Sequence, residues 1–197
     1  METILLVLVQ VAYWLILAFL AVLANKCTGI PLETVGFTLL AVGLAMYSTH
    51  RLAHYMPVSK KNWWWKWFVV HTIGHHRLSY PEKDFMHVKY RDNPVDTHWL
   101  GTLVYVIPCI VVLFLVHVMS CKTPTLGQTL SSTIVVALAL LFEDRIHAEI
   151  HKQGSFLERY QWFQMLRSIH KTHHSDEHRV NFGVVNMSFD VLLGTFE

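Results

Sequence analysis

The stretch Ile134-Val-Val-Ala-Leu-Ala-Leu-Leu-Phe-Glu-Asp-Arg-Ile-His-Ala-Glu-Ile-His151 decides the fold. It is continuously apolar from Ile134 to Phe142, turns charged over Glu143, Asp144 and Arg145, and closes on two histidines four apart. At 3.6 residues per turn, His147 and His151 lie one above the other on one helix face. An apolar helix therefore ends by presenting two imidazoles to one point. A chain built this way is all-α, and what it does depends on which other groups meet those rings.

Three further clusters repeat the pattern: His50-Arg-Leu-Ala-His54, His71-Thr-Ile-Gly-His75-His76 and His170-Lys-Thr-His173-His174. Residues three or four apart share a helix face, so His50/His54, His71/His75, His147/His151 and His170/His173/His174 are each expected to aim their rings at a common point. Ten rings exceed what one ion can use, which predicts two ions. Neutral imidazole suits iron, zinc or copper, and spacing does not choose among them. His87, His98 and His117 have no neighbour at ligand spacing and read as ordinary core or surface residues. His178, four residues past the last cluster, fits either an eleventh ligand or a supporting residue.

The remaining sequence makes a membrane the first environment to test. It is 53% hydrophobic and 15% charged with a net charge of +2, and its mean hydropathy is positive. So small a net charge offers nucleic acid no basic surface. Cys27, Cys109 and Cys121 lack metal-ligand spacing and do not suggest a disulfide framework. Four apolar runs, at 4–24, 34–54, 100–119 and 127–151, predict a four-helix bundle integral to a membrane, since roughly 20 such residues cross a bilayer. The first run reads as a span and not a cleaved leader, because Glu2 follows Met1 and no basic region precedes it. With four crossings, the amino terminus, the long loop and the tail share one side. That side holds all but Lys26 and Lys122 of the 16 Lys and Arg residues, which places it in the cytoplasm. All four histidine clusters fall there, so 55–99 and 147–197 are expected to form a histidine-rich cap on a single membrane domain, 1–197. Lys60, Lys61, Trp63, Trp64, Trp65, Lys66 and Trp67 open the long loop and suit a helix lying flat among lipid headgroups.

Two groups of carboxylates bear on the chemistry. Glu149 stands third in His147-Ala-Glu-Ile-His151, whereas a zinc peptidase helix carries its glutamate second, so hydrolysis is disfavoured. Glu143 and Asp144, about one turn before His147, fit either acceptors for ring N–H groups or ordinary helix-end solvation.

From His50 to Glu197 the sequence resembles the fatty acid hydroxylase superfamily, which includes sterol desaturases and related lipid oxidases. The family's order of pair, triplet, pair and triplet is matched by His50 and His54, by His71, His75 and His76, by His147 and His151, and by His170, His173 and His174. Asn181-Phe-Gly183 and Phe189-Asp-Val-Leu-Leu-Gly-Thr-Phe196 resemble its terminal signature. Three residues separate His71 from His75 where the family commonly has two. The first apolar run lies outside the resemblance and adds only membrane character.

The resemblance implies an oxidoreductase in which these ten histidines hold two Fe ions that use O2 to hydroxylate or desaturate a lipid of fatty acyl, sterol or carotenoid type. It also implies an external electron donor of the ferredoxin or cytochrome b5 type, since no flavin, nicotinamide or haem-attachment motif appears in the sequence. The expected location is a bacterial inner membrane or the endoplasmic reticulum. Asn181 fits either an amide holding a metal-bound water or a turn cap, and Asp190 either an acceptor for a ligand ring or a structural residue. A different class, a non-enzymatic membrane protein binding haem or moving divalent metal, wants its polar groups deep in the spans. Here the spans are nearly free of ligands until their cytoplasmic ends, which favours the enzyme.

Overall fold

A computed structural model describes residues 2–28, 32–55, 59–61, 65–88, 125–175 and 179–197. The predicted run 100–119 lies outside them, as do Trp63, Trp64, His98, His117 and His178. The described chain is mostly helical and has no strand. The apolar runs form α1 (Glu2–Thr28), α2 (Leu32–Ala53) and α4 (Leu126–Ile150), with the latter two close to the bounds expected from sequence. Among the described residues, no helix is long and apolar enough to cross a membrane. The tryptophan-rich opening of the long loop contributes one helical turn, α3 (Trp65–Phe68), with the Lys60 ammonium 5.6 Å from the Trp65 ring centroid. That turn runs straight into a π-helix, Val69–Ser79.

The core sits where α1, α4 and α5 (Gln161–His173) meet. Leu6, Ile146, Ile150, Phe163, Leu166, Val185 and Met187 bury one another there, with Phe85 reaching in from the loop. Along α5 the buried side chains are Phe163, Leu166, His170 and His173, spaced three, four and three. This is one continuous inward stripe whose last turn swaps apolar groups for imidazoles. A second cluster, Val42, Ala45, Val136 and Leu140, packs α2 on α4.

Arg167 locks the end of α4 to α5. One guanidinium nitrogen donates to the carbonyls of Glu149 and Lys152 at 3.0 and 2.9 Å, and the other pairs with Glu158 at 2.7 Å. A terminal carbonyl of α4 and one just past its end are thereby satisfied by a cation, as the helix dipole favours. The chain then reverses at Gly154, whose φ of +73° suits a residue without a side chain. The short α6 (Ser188–Leu193) ends on Gly194 at φ +68° and leads into the tail. Facing away from the core, α1 exposes Val7, Val11, Leu15 and Phe19, α2 exposes Phe37, Leu40 and Leu44, and α4 exposes Ile134, Leu138 and Leu141.

Candidate metal centre

The end of α2 delivers His50 and His54, and the π-helix lies directly against it. The Thr72 hydroxyl donates to the free carbonyl of Ala53 at 2.6 Å, fixing the two segments together. Hydrogen bonds in a π-helix join residues five apart, as the Tyr80 N–H to His75 carbonyl bond does at 2.8 Å. His71 consequently meets His76, with Nε2 atoms 3.1 Å apart. The sequence expectation that His71 and His75 share a point is corrected here. In the wider turn they part, and the extra residue between them is absorbed without taking any ring of the cluster away from the centre.

All ten histidines of the four clusters come together, in two groups of five. His50, His54, His71, His76 and His173 form one, and His75, His147, His151, His170 and His174 form the other. Within each group every residue offers a nitrogen, and these nitrogens lie within 4.8 Å of one another. The closest approaches are His173 to His50 at 2.9 Å and His71 to His54 at 3.1 Å in the first group. In the second, His170 Nε2 lies 3.0 to 3.2 Å from the Nε2 atoms of His147, His174 and His151. The last cluster is also divided. His170 and His174, four apart, serve one group, while His173 turns to the other, so the expected common point for all three is replaced by two.

The hydrogen bonds of the outer ring nitrogens show what the inner ones are for. His151 Nδ1 bonds the Phe85 carbonyl at 3.0 Å, His173 Nδ1 that of Val180 at 2.7 Å and His174 Nδ1 that of Tyr80 at 2.9 Å. A carbonyl only accepts, so each Nδ1 carries the proton and each Nε2 is left as a bare lone pair aimed inward. A ring oriented by a carbonyl on its far side is the usual state of a metal-bound histidine, and the inward nitrogens of these three rings stand about 3 Å from others of their group. His75 Nε2 is buried with no hydrogen-bond partner among the described residues, as a nitrogen reserved for a metal would be. Burial, reinforced by neighbouring imidazoles, holds His71, His75, His76, His170 and His174 well below the ordinary histidine range, and burial brings His173 down to about 4. Neutral rings are the form a metal requires. The donor set of each group could hold a transition-metal ion.

The residues around the rings resolve the alternatives left open by sequence. Asn181, at φ 54°, clasps the tail: its amide bonds the backbone N–H and carbonyl of Glu197 at 3.0 and 3.1 Å. Asp190 accepts from the N–H groups of Phe182 and Gly183, both at 2.7 Å, and from the Thr195 hydroxyl at 2.9 Å. Both are structural, and together they fold the terminal signature into a latch. Phe182 carries that latch to the first histidine group, its ring edge-on to His50, His54 and His173 at centroid distances of 6.0, 5.5 and 5.6 Å.

Glu143 is buried but bonds the Tyr13 hydroxyl and the Val185 N–H, while Asp144 is exposed. Glu149 accepts from Ser155 and Lys152 and takes no part in either group. His87 bonds the Ser79 carbonyl at 3.2 Å, outside both groups. Sequence reasoning passed over the polar stripe of α1. Gln10, Tyr13 and Trp14 interrupt an apolar run at helical spacing, and a polar face within such a run was the available signal.

A polar opening of about 390 Å³, lined by His76, Arg77, Pro81, Glu82 and His174, reaches a ring of each group. Those two rings stack with centroids 3.9 Å apart and planes 18° from parallel. A larger apolar groove of about 1160 Å³ runs between α1 and α4, where Leu138, Phe142, Arg145 and Glu149 line it on the side of α4 away from His147 and His151. A family model described as fatty acid hydroxylase matches residues 35–195, from the start of α2 into the tail and across all ten histidines. No curated protein and no solved structure matches the chain significantly.

Proposed function

The chain belongs to the fatty acid hydroxylase family, and from that we propose that it is a membrane oxidoreductase using O2 to hydroxylate or desaturate a lipid at two iron ions. The convergence of ten histidines from four distant segments into two five-membered groups carries this reading. Iron held by His50, His54, His71, His76 and His173 and by His75, His147, His151, His170 and His174 would supply the redox chemistry that attacks an unactivated carbon.

The protein's part is to hold and shield. Carbonyls of Phe85, Tyr80 and Val180 keep three rings oriented, and Phe182, Tyr80 and Phe85 wall the groups with aromatic surface. A dry surround of this kind limits side reactions with water. The outward-facing apolar residues of α1, α2 and α4 support a location in the bilayer and a lipid substrate delivered from it. The histidine groups then lie at the cytoplasmic face. Electrons come from a separate carrier of the ferredoxin or cytochrome b5 type, and the polar opening beside His76 and His174 suits its approach.

The test is metal analysis and an optical spectrum of the purified protein, with lipid extracts of expressing cells compared by mass spectrometry. Two irons per chain, no Soret band and an oxidised lipid lost in His173→Ala are expected. Bound haem, or a His173→Ala variant with unchanged metal and product, overturns the reading.

A further inference from the structure

The helix α1 lies outside the stretch matched by the family, 35–195, yet its polar side chains reach far into the protein. Gln10, Tyr13 and Trp14 share one face of it. Gln10 uses both ends of its amide, donating to the Val185 carbonyl at 2.9 Å and accepting the Met187 N–H at 3.0 Å. The Trp14 indole donates to Ser188 Oγ at 2.9 Å. The Tyr13 hydroxyl donates to one oxygen of Glu143 at 3.4 Å, and the other oxygen takes the Val185 N–H at 3.2 Å. Residues 185–188 are thus gripped from two sides, by α1 and by α4.

Each side leads to a different histidine group. Glu143 precedes His147 of the second group by one turn of α4. The gripped segment runs back to Phe182, whose ring lies against His50, His54 and His173, and to Val180, whose carbonyl orients His173. Those three rings all belong to the first group. Glu143 is therefore a junction between the supports of the two groups, and α1 is the element that closes it.

We propose that Gln10, Tyr13 and Glu143 are positioning residues that set the separation of the two histidine groups and hence of the ions they hold. The inference rests on the two-ion reading above. Among the described residues the hydrogen bonds of the three go to residues 185–188 and to one another and not to a ring of either group, so each acts through backbone placement. The dipolar part of the coupling between two paramagnetic ions depends steeply on their separation, and a purely stabilising contact leaves it alone.

The experiment loads the full chain with iron and reads metal content, the magnetic coupling between the ions by Mössbauer and EPR spectroscopy, and turnover. Gln10→Leu, Tyr13→Phe and Glu143→Leu are expected to keep both ions but change the coupling, with kcat falling on the order of tenfold while KM holds, as small misplacements do. Glu143→Gln is expected to rescue: its oxygen still accepts the Val185 N–H, and its amide donates to the Tyr13 oxygen. Should Glu143→Leu fail to fold, Gln10→Leu and Tyr13→Phe decide alone. Paired ions with the same coupling in every folded variant overturn this inference and leave the proposed function standing. A wild-type chain without paired iron refutes the proposed function itself.

Discussion

Removing the Asp190 carboxylate should unlatch the tail in two measurable steps. The side chain is fully buried, with one oxygen accepting the Phe182 N–H and the Thr195 hydroxyl and the other accepting the Gly183 N–H. Asp190→Asn keeps one acceptor oxygen. If that oxygen stays on Phe182 and Thr195, the amide nitrogen meets the Gly183 N–H and one buried donor loses its partner. Asp190→Ala strands both backbone donors. An orphaned buried donor costs about 1–3 kcal/mol, so the asparagine variant should lose roughly that much and the alanine variant about twice as much. The assay is the denaturant midpoint of the purified protein, followed by circular dichroism, with iron per chain measured in parallel. Phe182 backs His50, His54 and His173, so iron retention should fall in the same order as stability. Equal losses in the two variants, or none in either, would refute the argument that two acceptor oxygens are needed.

Gly183→Ala should be comparably damaging, by about 1–3 kcal/mol from overpacking, because a Cβ there would press on the Asn186 carbonyl and stand 2.8 Å from Asp190 Oδ2; a thermal midpoint equal to wild type counts against it. His75→Ala removes a ring from the second group only, and metal analysis should find iron reduced toward one ion per chain, while His87→Ala leaves the content unchanged. Acid should destabilise the chelated protein. Histidine titrates near 6.5 in the unfolded chain, and burial holds the folded values lower, to about 4 for His173. The unfolded state thus takes up the extra protons. Stability is complete above about pH 6.5 and falls by up to about 1.4 kcal/mol per pH unit for each such ring as pH drops, the His173 share levelling off below its folded value. Unfolding midpoints that stay flat between pH 7 and 5 would contradict this.

The sequence made some of this architecture legible because local spacing carries it. The ends of α2 and α4 were readable from apolar runs that close on histidines four apart, and those pairs, His50/His54 and His147/His151, do stay together. The division of the other two clusters was not readable. It depends on a π-helical turn that pairs His71 with His76, and on α5 lying between the two groups so that His173 turns away from His170 and His174. The first shows only as the one extra residue between His71 and His75, a spacing an ordinary α-helix also permits, and the second leaves no mark in spacing at all. Glu143 met neither of its two expected readings, and Gln10 drew none, for a related reason. Their partners, Val185 and Met187, are remote in sequence, and only the folded chain brings a backbone amide to each.

The last turn of α5 supplies rings to both groups at once. A helix moves as a stiff rod, so no slide or roll of it can bring His173 nearer its companions without also displacing His170 and His174 from theirs. Any lineage that retunes one group by shifting this rod disturbs the other, which leaves exchanges of individual side chains as the route by which the two groups can diverge in properties.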